Sequence, residues 1–231
     1  LKPIHAHDIM CYLGDAVLSG GIRRSAMISL FDSDEDDLIT CKSGEWYLEH
    51  PHRAMANNSV VFDRATVTQE DFNRVWEKTK NQRYGEPGFY FTNDVTWGTN
   101  PCCEIALQNF QFCNLCEVSV SDNSEEYPIA DRVVMAAFLG TLQATYTDFH
   151  YLRPIWKETT EKEALIGVSM TGVGSGEIMS HDLEYYADLV KWTNQKWAKV
   201  LEINPAARTT CVKPAGTSSL VLGTSSGVHA W

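Results

Sequence analysis

IGVSMTGV, residues 166–173, is apolar or small along its whole length, too continuously so for a strand in a sheet with one wet face. Such a run suits a strand covered on both sides. Outward from it, strand-like runs recur at IRRSAMISLF (22–31), NSVVF (58–62) and ARTTCV (207–212). Between them the period changes. Thr68 followed by Asp71 resembles a capping box, and Phe72, Val75 and Trp76 then recur at helical spacing, which predicts a helix over 69–80. Residues 129–145 carry Val133, Val134, Ala137 and Phe138 on one side, and 182–201 carry Leu183, Tyr186, Ala187 and Val190 in the same fashion, predicting two longer helices. Strands alternating with helices predict an α/β protein with a largely parallel sheet.

The 231 residues, 44% hydrophobic, suffice for one large domain or two small ones. A net charge of −11 argues against a surface for polymeric nucleic acid, which needs clustered Lys and Arg, but leaves small anionic ligands open. No run approaches the roughly 18 apolar residues of a membrane span, and the opening LKPIHAHDIM has no signal-peptide core, so a cytoplasmic location is expected. DSDEDD (32–37) reads as a solvated turn and helix start, and SDNSEE (121–126) as a surface loop; neither has the Gly and terminal Glu of an EF-hand. Seven cysteines, an odd count without regular spacing, point to reactive, ligating or buried thiols rather than a disulfide scaffold.

Four of those cysteines fall in NPCCEIALQNFQFCNLCE (100–117). If this backbone is extended, as Pro101 favours, a period of two sends Asn100, Cys102 and Glu104 to one face in steps of about 6–7 Å. An amide, a thiol and a carboxylate converging there suit a hydroxylated substrate: the amide orients a hydroxyl, the carboxylate takes its proton and the sulfur does covalent or radical work. Cys113 and Cys116 form a CxxC, which by itself reads as a zinc knuckle or a redox pair. A zinc-stabilised binding module built on Cys102, Cys103, Cys113 and Cys116 is the competing reading, although adjacent cysteines that alternate in direction on a strand chelate poorly. Near the other end, KPAGTSS (213–219) follows a strand with a glycine, consecutive amides and three hydroxyls, a cradle for phosphate or simply a turn.

TNPCCEIAL leading into FCNLCEVSV resembles the finger loop and following strand of ribonucleotide reductase large chains, in particular the adenosylcobalamin-dependent class II enzymes. SGGIRRSAMISLFD (19–32), HPHRAMANNSVVF (50–62), GEPGFYFTND (85–94), residues 141–173 and TTCVKPAGTSSLVLGTSSGVHAW (209–231) resemble that family in the same order, so essentially the whole chain is covered. The resemblance implies that residues 1–231 are the central part of a ten-stranded α/β barrel, with a central finger loop carrying the radical cysteine and the flanking portions of the barrel lying outside this sequence. It implies reduction of ribonucleoside di- or triphosphates to 2′-deoxyribonucleotides for DNA synthesis, with adenosylcobalamin as radical source. The nearest enzymatic alternative is a large chain served by a separate di-metal radical subunit.

By the same resemblance, Cys102 is the thiyl radical that takes the 3′ hydrogen, Glu104 accepts the 3′-hydroxyl proton, and Asn100 hydrogen-bonds the sugar hydroxyls. Cys113 stands where one member of the reducing cysteine pair would be; its partner comes upstream of SGGIRR and before residue 1, so the 231-residue piece is expected not to turn over by itself. An external dithiol such as thioredoxin restores the pair. Gly216, Thr217 and Ser218 match the substrate-phosphate contacts. SGGIRRS (19–25) resembles the mobile loop that reports a bound nucleotide effector to the substrate base; Gly20 and Gly21 supply its backbone freedom, and Arg23 is the one residue that the resemblance marks, as the substrate-binding cation that touches base or phosphate. No metal-ligand residues, nucleic-acid polymer or membrane are implied. Cys103 and Cys116 depart from the pattern, standing where small, apolar or hydroxyl residues are expected, and a vicinal oxidation of Cys102 and Cys103 is one consequence; Cys116, Cys211, Cys11 and Cys41 read as small buried side chains.

Overall fold

Residues 1–21 and 24–230 are described in the computed structural model of the chain. They form two units, Leu1–Ala106 and Leu107–Trp231. The first begins with α1 (Pro3–Ser19), followed by β1 (Met27–Asp32), the single turns α2 (Asp36–Ile39) and α3 (Trp46–Glu49), and β2 (Ala56–Asp63). Helix α4 (Gln69–Gln82) leads to β3 (Gly88–Thr92), and the unit closes with β4 (Gly98–Thr99), which pairs with β5 (Ala106–Leu107). β1, β2 and β3 lie in that order and all parallel, with Met27 opposite Ala56 and Ser59 opposite Gly88.

Period-two burial along β2 turns Ala56, Asn58, Val60 and Phe62 inward, where Val60 and Phe62 join Phe31, Leu38, Ile39 and Val75 in the core. The capping box is present as read: Thr68 Oγ1 accepts the Asp71 N–H at 3.1 Å while the Asp71 carboxylate accepts the Thr68 N–H. Sequence periodicity does not reveal α1, for a physical reason. Its Ile9, Met10, Tyr12, Leu13 and Val17 are exposed, and the residues it buries are His7 and Cys11, so no apolar stripe marks it. What holds it is polar. Arg53 donates to both oxygens of Asp8, at 2.7 and 2.8 Å, and a third nitrogen reaches the Cys41 carbonyl. His7 Nε2 lies 3.0 Å from Asn58 Oδ1, and Asn58 Nδ2 donates to Cys41 Sγ. His52 Nε2 is 3.1 Å from Asp8 Oδ1, near enough for attraction but off line for a hydrogen bond. Arg53 holds the Asp8 carboxyl far below the usual carboxylate range, and burial pushes the Cys11 thiol up to about 11.

In the second unit β6 (Asn114–Ser119), α5 (Ile129–Gln143), α6 (Pro154–Glu163), β7 (Ile166–Thr171), α7 (Leu183–Val200), β8 (Thr210–Cys211) and α8 (Gly216–Leu222) follow in order. β7 is central, parallel to β6 on one side and β8 on the other, with Asn114 opposite Ile166 and Val168 opposite Thr210. Five of its six residues are buried, which is why its sequence lacks a polar alternation. Gly140 brings α5 close to β7: a Cβ there would stand 3.4 Å from that of Ile166. Asn194 of α7, 1% exposed, donates to Thr141 Oγ1 of α5 and accepts the Ala206 N–H, tying both helices to the following loop. The run 207–212 shortens to two residues of strand because the Ala207 N–H goes to Glu163 O and the Lys213 N–H to Ser169 Oγ. The α/β class with parallel strands is thus as the sequence indicates.

Candidate active site

The Asn100–Ile105 segment is a tight turn, which corrects the extended backbone expected for it. The Cys103 N–H donates to the Asn100 carbonyl at 2.9 Å, closing a β-turn with Pro101 at its second position and Cys102 at its third. Cys102 is not among the positive-φ residues, whereas Cys103, the next residue, sits at φ 65. This is a type I turn followed by a left-handed residue, a common way to close a hairpin. Asn100 closes the hairpin twice more, since its N–H donates to Ile105 O at 3.2 Å and its Oδ1 accepts the Ile105 N–H at 3.0 Å. Asn57 of β2 fixes the tip by donating to the Pro101 carbonyl. Proline at the second turn position and an amide that bonds backbone two ways outweigh the extended tendency before a proline.

Alternation therefore does not align Asn100, Cys102 and Glu104; a six-residue loop carries them instead. Its features are specific. Cys102 and Cys103 are both exposed thiols. Asn100 spends its carbonyl oxygen on the turn, which leaves its NH2 as the group available to a ligand. Both oxygens of the Glu104 carboxyl are buried, with no hydrogen-bond donor. A buried carboxyl in that condition is costly, and a ligand that brings a hydroxyl donor to it relieves the cost.

The remaining positions lie in the second unit. Half-buried Cys113 directly precedes β6, and Cys116 within it is half-buried too, packed against the core with its thiol pushed up by burial; Cys211 is likewise half-buried, so Cys116 and Cys211 are less enclosed than the buried side chains expected of them. Gly216, Thr217 and Ser218 are exposed and form the first turn of α8, where the leading N–H groups lack intrahelical acceptors. A Cβ on Gly216 would meet nothing within 4 Å, so the space beside it is open. Ser218 Oγ donates to Glu117 of β6, and Lys213 Nζ lies 3.7 Å from the other Glu117 oxygen, beyond hydrogen-bond reach but within attraction. Sequence patterning does not single out Glu117, although an acid between the apolar Leu115, Cys116 and Val118 of a parallel strand is a signal in itself. Arg23 lies outside the described residues. An apolar cavity of about 240 Å³ between the sheet and helices α5 and α7 is lined by Val118, Val168, Met170, Val190 and Cys211 and by none of the expected site residues. Among the described residues no group of three or more His, Cys, Asp or Glu is arranged to hold a metal ion, and no helix is long and apolar enough to cross a membrane.

No protein-family model matches the chain. Curated relatives do. Proteins named adenosylcobalamin-dependent ribonucleoside-triphosphate reductase from Lactobacillus leichmannii and from Euglena gracilis are each 28% identical, over 99% and 96% of this chain. The resemblance read from the sequence is borne out. A solved B12-dependent (class II) ribonucleotide reductase superposes on 97% of the chain with a TM-score of 0.72 at 23% identity, and the class Id ribonucleotide reductase alpha subunit of Actinobacillus ureae on 87% with 0.58 at 14%. At those identities the two structures speak for the fold. The chain spans 36% of the Lactobacillus leichmannii reductase and 32% of the Euglena gracilis one.

Proposed function

We propose that the chain is part of an enzyme that reduces ribonucleotides to 2′-deoxyribonucleotides through a sulfur radical on Cys102. The observation that carries this reading is the pairing, on one short loop, of an exposed Cys102 with a Glu104 whose buried carboxyl oxygens have no donor. A ribose supplies what the loop lacks. Its 3′-hydroxyl donates to Glu104, its 3′ hydrogen goes to Cys102, and the Asn100 NH2 donates to a hydroxyl oxygen and orients the sugar. Loss of the 3′-hydroxyl proton to Glu104 pushes electron density toward C2′, which eases departure of the 2′-hydroxyl as water. Two electrons and two protons complete the reduction. They come from Cys113 and a second cysteine that the resemblance puts upstream of residue 1, the pair ending as a disulfide that an external dithiol such as thioredoxin reduces.

Gly216, Thr217 and Ser218 carry the substrate phosphates in this reading. Ser218 has one proton to donate and gives it to Glu117, so phosphate binding turns that hydroxyl away from Glu117. By the resemblance, Arg23 is the cation that touches the substrate base or phosphate in an effector-responsive run, and the chain is part of a ten-stranded barrel with residues 100–105 on its finger loop. Adenosylcobalamin is the expected cofactor. Cys102, an exposed thiol, is the residue that would receive the radical from it. When bound, it supplies the initiating radical that side chains alone do not.

The test uses the full-length protein with adenosylcobalamin, a ribonucleoside triphosphate and a dithiol. Deoxyribonucleotide formation is expected, and Cys102→Ser abolishes it while ribonucleotide binding persists. Turnover retained in that variant removes Cys102 from the mechanism. Turnover that appears only with an added di-metal subunit overturns the cofactor assignment, and about one tightly held zinc per chain moves the cysteines to a structural role.

A further inference from the structure

Cys103 is the residue the proposed chemistry leaves unused. It occupies a left-handed position, φ 65, at the end of a hairpin turn, where glycine sits with least strain, yet the chain puts a second thiol there beside an already exposed one. An L residue held at such an angle at a reactive loop points to a function for its side chain. We propose that Cys102 and Cys103 form a reversible vicinal disulfide, a modification site at which peroxide or a small-molecule disulfide converts the loop from dithiol to disulfide.

The chemistry balances. With hydrogen peroxide, the Cys102 sulfur attacks one oxygen and the O–O bond breaks, giving a sulfenic acid and one water. The Cys103 sulfur then attacks the Cys102 sulfur, the S–S bond forms, and the sulfenic oxygen leaves as a second water. The two thiols lose two electrons and two protons, and the peroxide takes them up. With an oxidised dithiol as acceptor, exchange through a mixed disulfide reaches the same product and releases the reduced dithiol.

Cys103 suits the resolving role. Burial first, then the neighbouring Cys102 and Glu104, hold its thiol above the ordinary value, so it is the poorer first target for peroxide. It is also the adjacent residue: its Cα is about 3.8 Å from that of Cys102, less than the usual separation of roughly 4.4–6.8 Å for bridged cysteines. That shortness strains the ring and makes the bond easy to reduce, as suits a switch rather than a staple. Capture by Cys103 also stops Cys102 from advancing to the irreversible sulfinic acid. In the reductase reading, and resting on it, the disulfide form is an off state, since the sulfur that takes the 3′ hydrogen is then bonded to its neighbour.

The experiment is peptide mapping of the native protein after graded hydrogen peroxide and alkylation. The expected result is a peptide spanning residues 102–103 that is lighter by two hydrogen atoms and unalkylated at both positions, returning to the doubly alkylated form after dithiothreitol. In Cys103→Gly, which fits the left-handed position, and in Cys103→Ser, dimedone capture of sulfenic acid at Cys102 should rise roughly tenfold over the parent, because nothing adjacent resolves it. Both thiols still alkylated after peroxide, or Cys102 bridged to any cysteine other than Cys103, overturns the proposal. The mass readout needs no turnover. Absence of the bridge therefore sinks the switch and leaves the reductase reading standing, while a bridge in a protein that never reduces ribonucleotides sinks that reading and leaves the switch.

Discussion

Replacing Glu104 by glutamine should move stability and activity in opposite directions. Both carboxyl oxygens are buried with no donor, and an unsatisfied buried polar group costs about 1–3 kcal/mol, more when charged. Glutamine keeps the shape and removes the charge but leaves its own amide without partners, so Glu104→Gln recovers only the charged part of that cost and should stabilise the first unit by about 1 kcal/mol. With a urea slope of roughly 1–3 kcal/mol/M, the unfolding midpoint should rise by about 0.3–1 M. Turnover in the full-length protein should fall by about 10²–10⁴, the usual contribution of a positioned proton acceptor. Glu104→Ala separates charge from volume: it removes the same group but leaves a void, so any stabilisation should be smaller than with glutamine. A midpoint that drops in Glu104→Gln means that the carboxyl has a stabilising partner, and unchanged turnover means that it takes no proton; either result refutes the reasoning.

Asp8→Asn leaves the buried Arg53 guanidinium without its anion and should cost about 3–5 kcal/mol by chemical denaturation. The folded Asp8 carboxyl lies far below its unfolded value, so its contribution is present above pH of about 4 and fades as pH falls further; the parent should lose stability there and the variant should lack that component. Asn194→Ala strands the Ala206 N–H and removes the donor to Thr141, which predicts a loss of about 2–3 kcal/mol read from the denaturant midpoint. Gly172→Ala, at φ 85 and with a Cβ that would stand 2.4 Å from Thr224 Oγ1, should cost more than about 2 kcal/mol and lower the melting temperature by several degrees.

Much of the fold was legible in local patterning. The Thr68–Asp71 box, the apolar spacing of 129–145 and 182–201, and the run at 166–173 each report whether a segment is helix or strand and how far it is covered, because burial by a regular element imposes the period of that element on the sequence. The clustered thiols at 102 and 103, and the amide and acid beside them, are likewise legible as an inventory of reactive groups. Helix α1 escaped because polar groups hold it: Asp8 meets Arg53, 45 residues on, and His7 meets Asn58, 51 residues on.

The same limit governs the site. Residue types at 100–104 were plain, but their arrangement was decided by the Asn100 side chain closing on Ile105 and by Asn57 reaching the Pro101 carbonyl from 44 residues away. Glu117 meets Ser218 across 101 residues. Chain order by itself determined the elements and the inventory of reactive groups; the tertiary structure alone decided that the loop is a turn, that Cys103 is left-handed and that the Glu104 carboxyl is buried without a donor. The physical reason is that hydrophobic burial repeats along a regular element and writes a period into the sequence, whereas a hydrogen bond between distant residues repeats nothing.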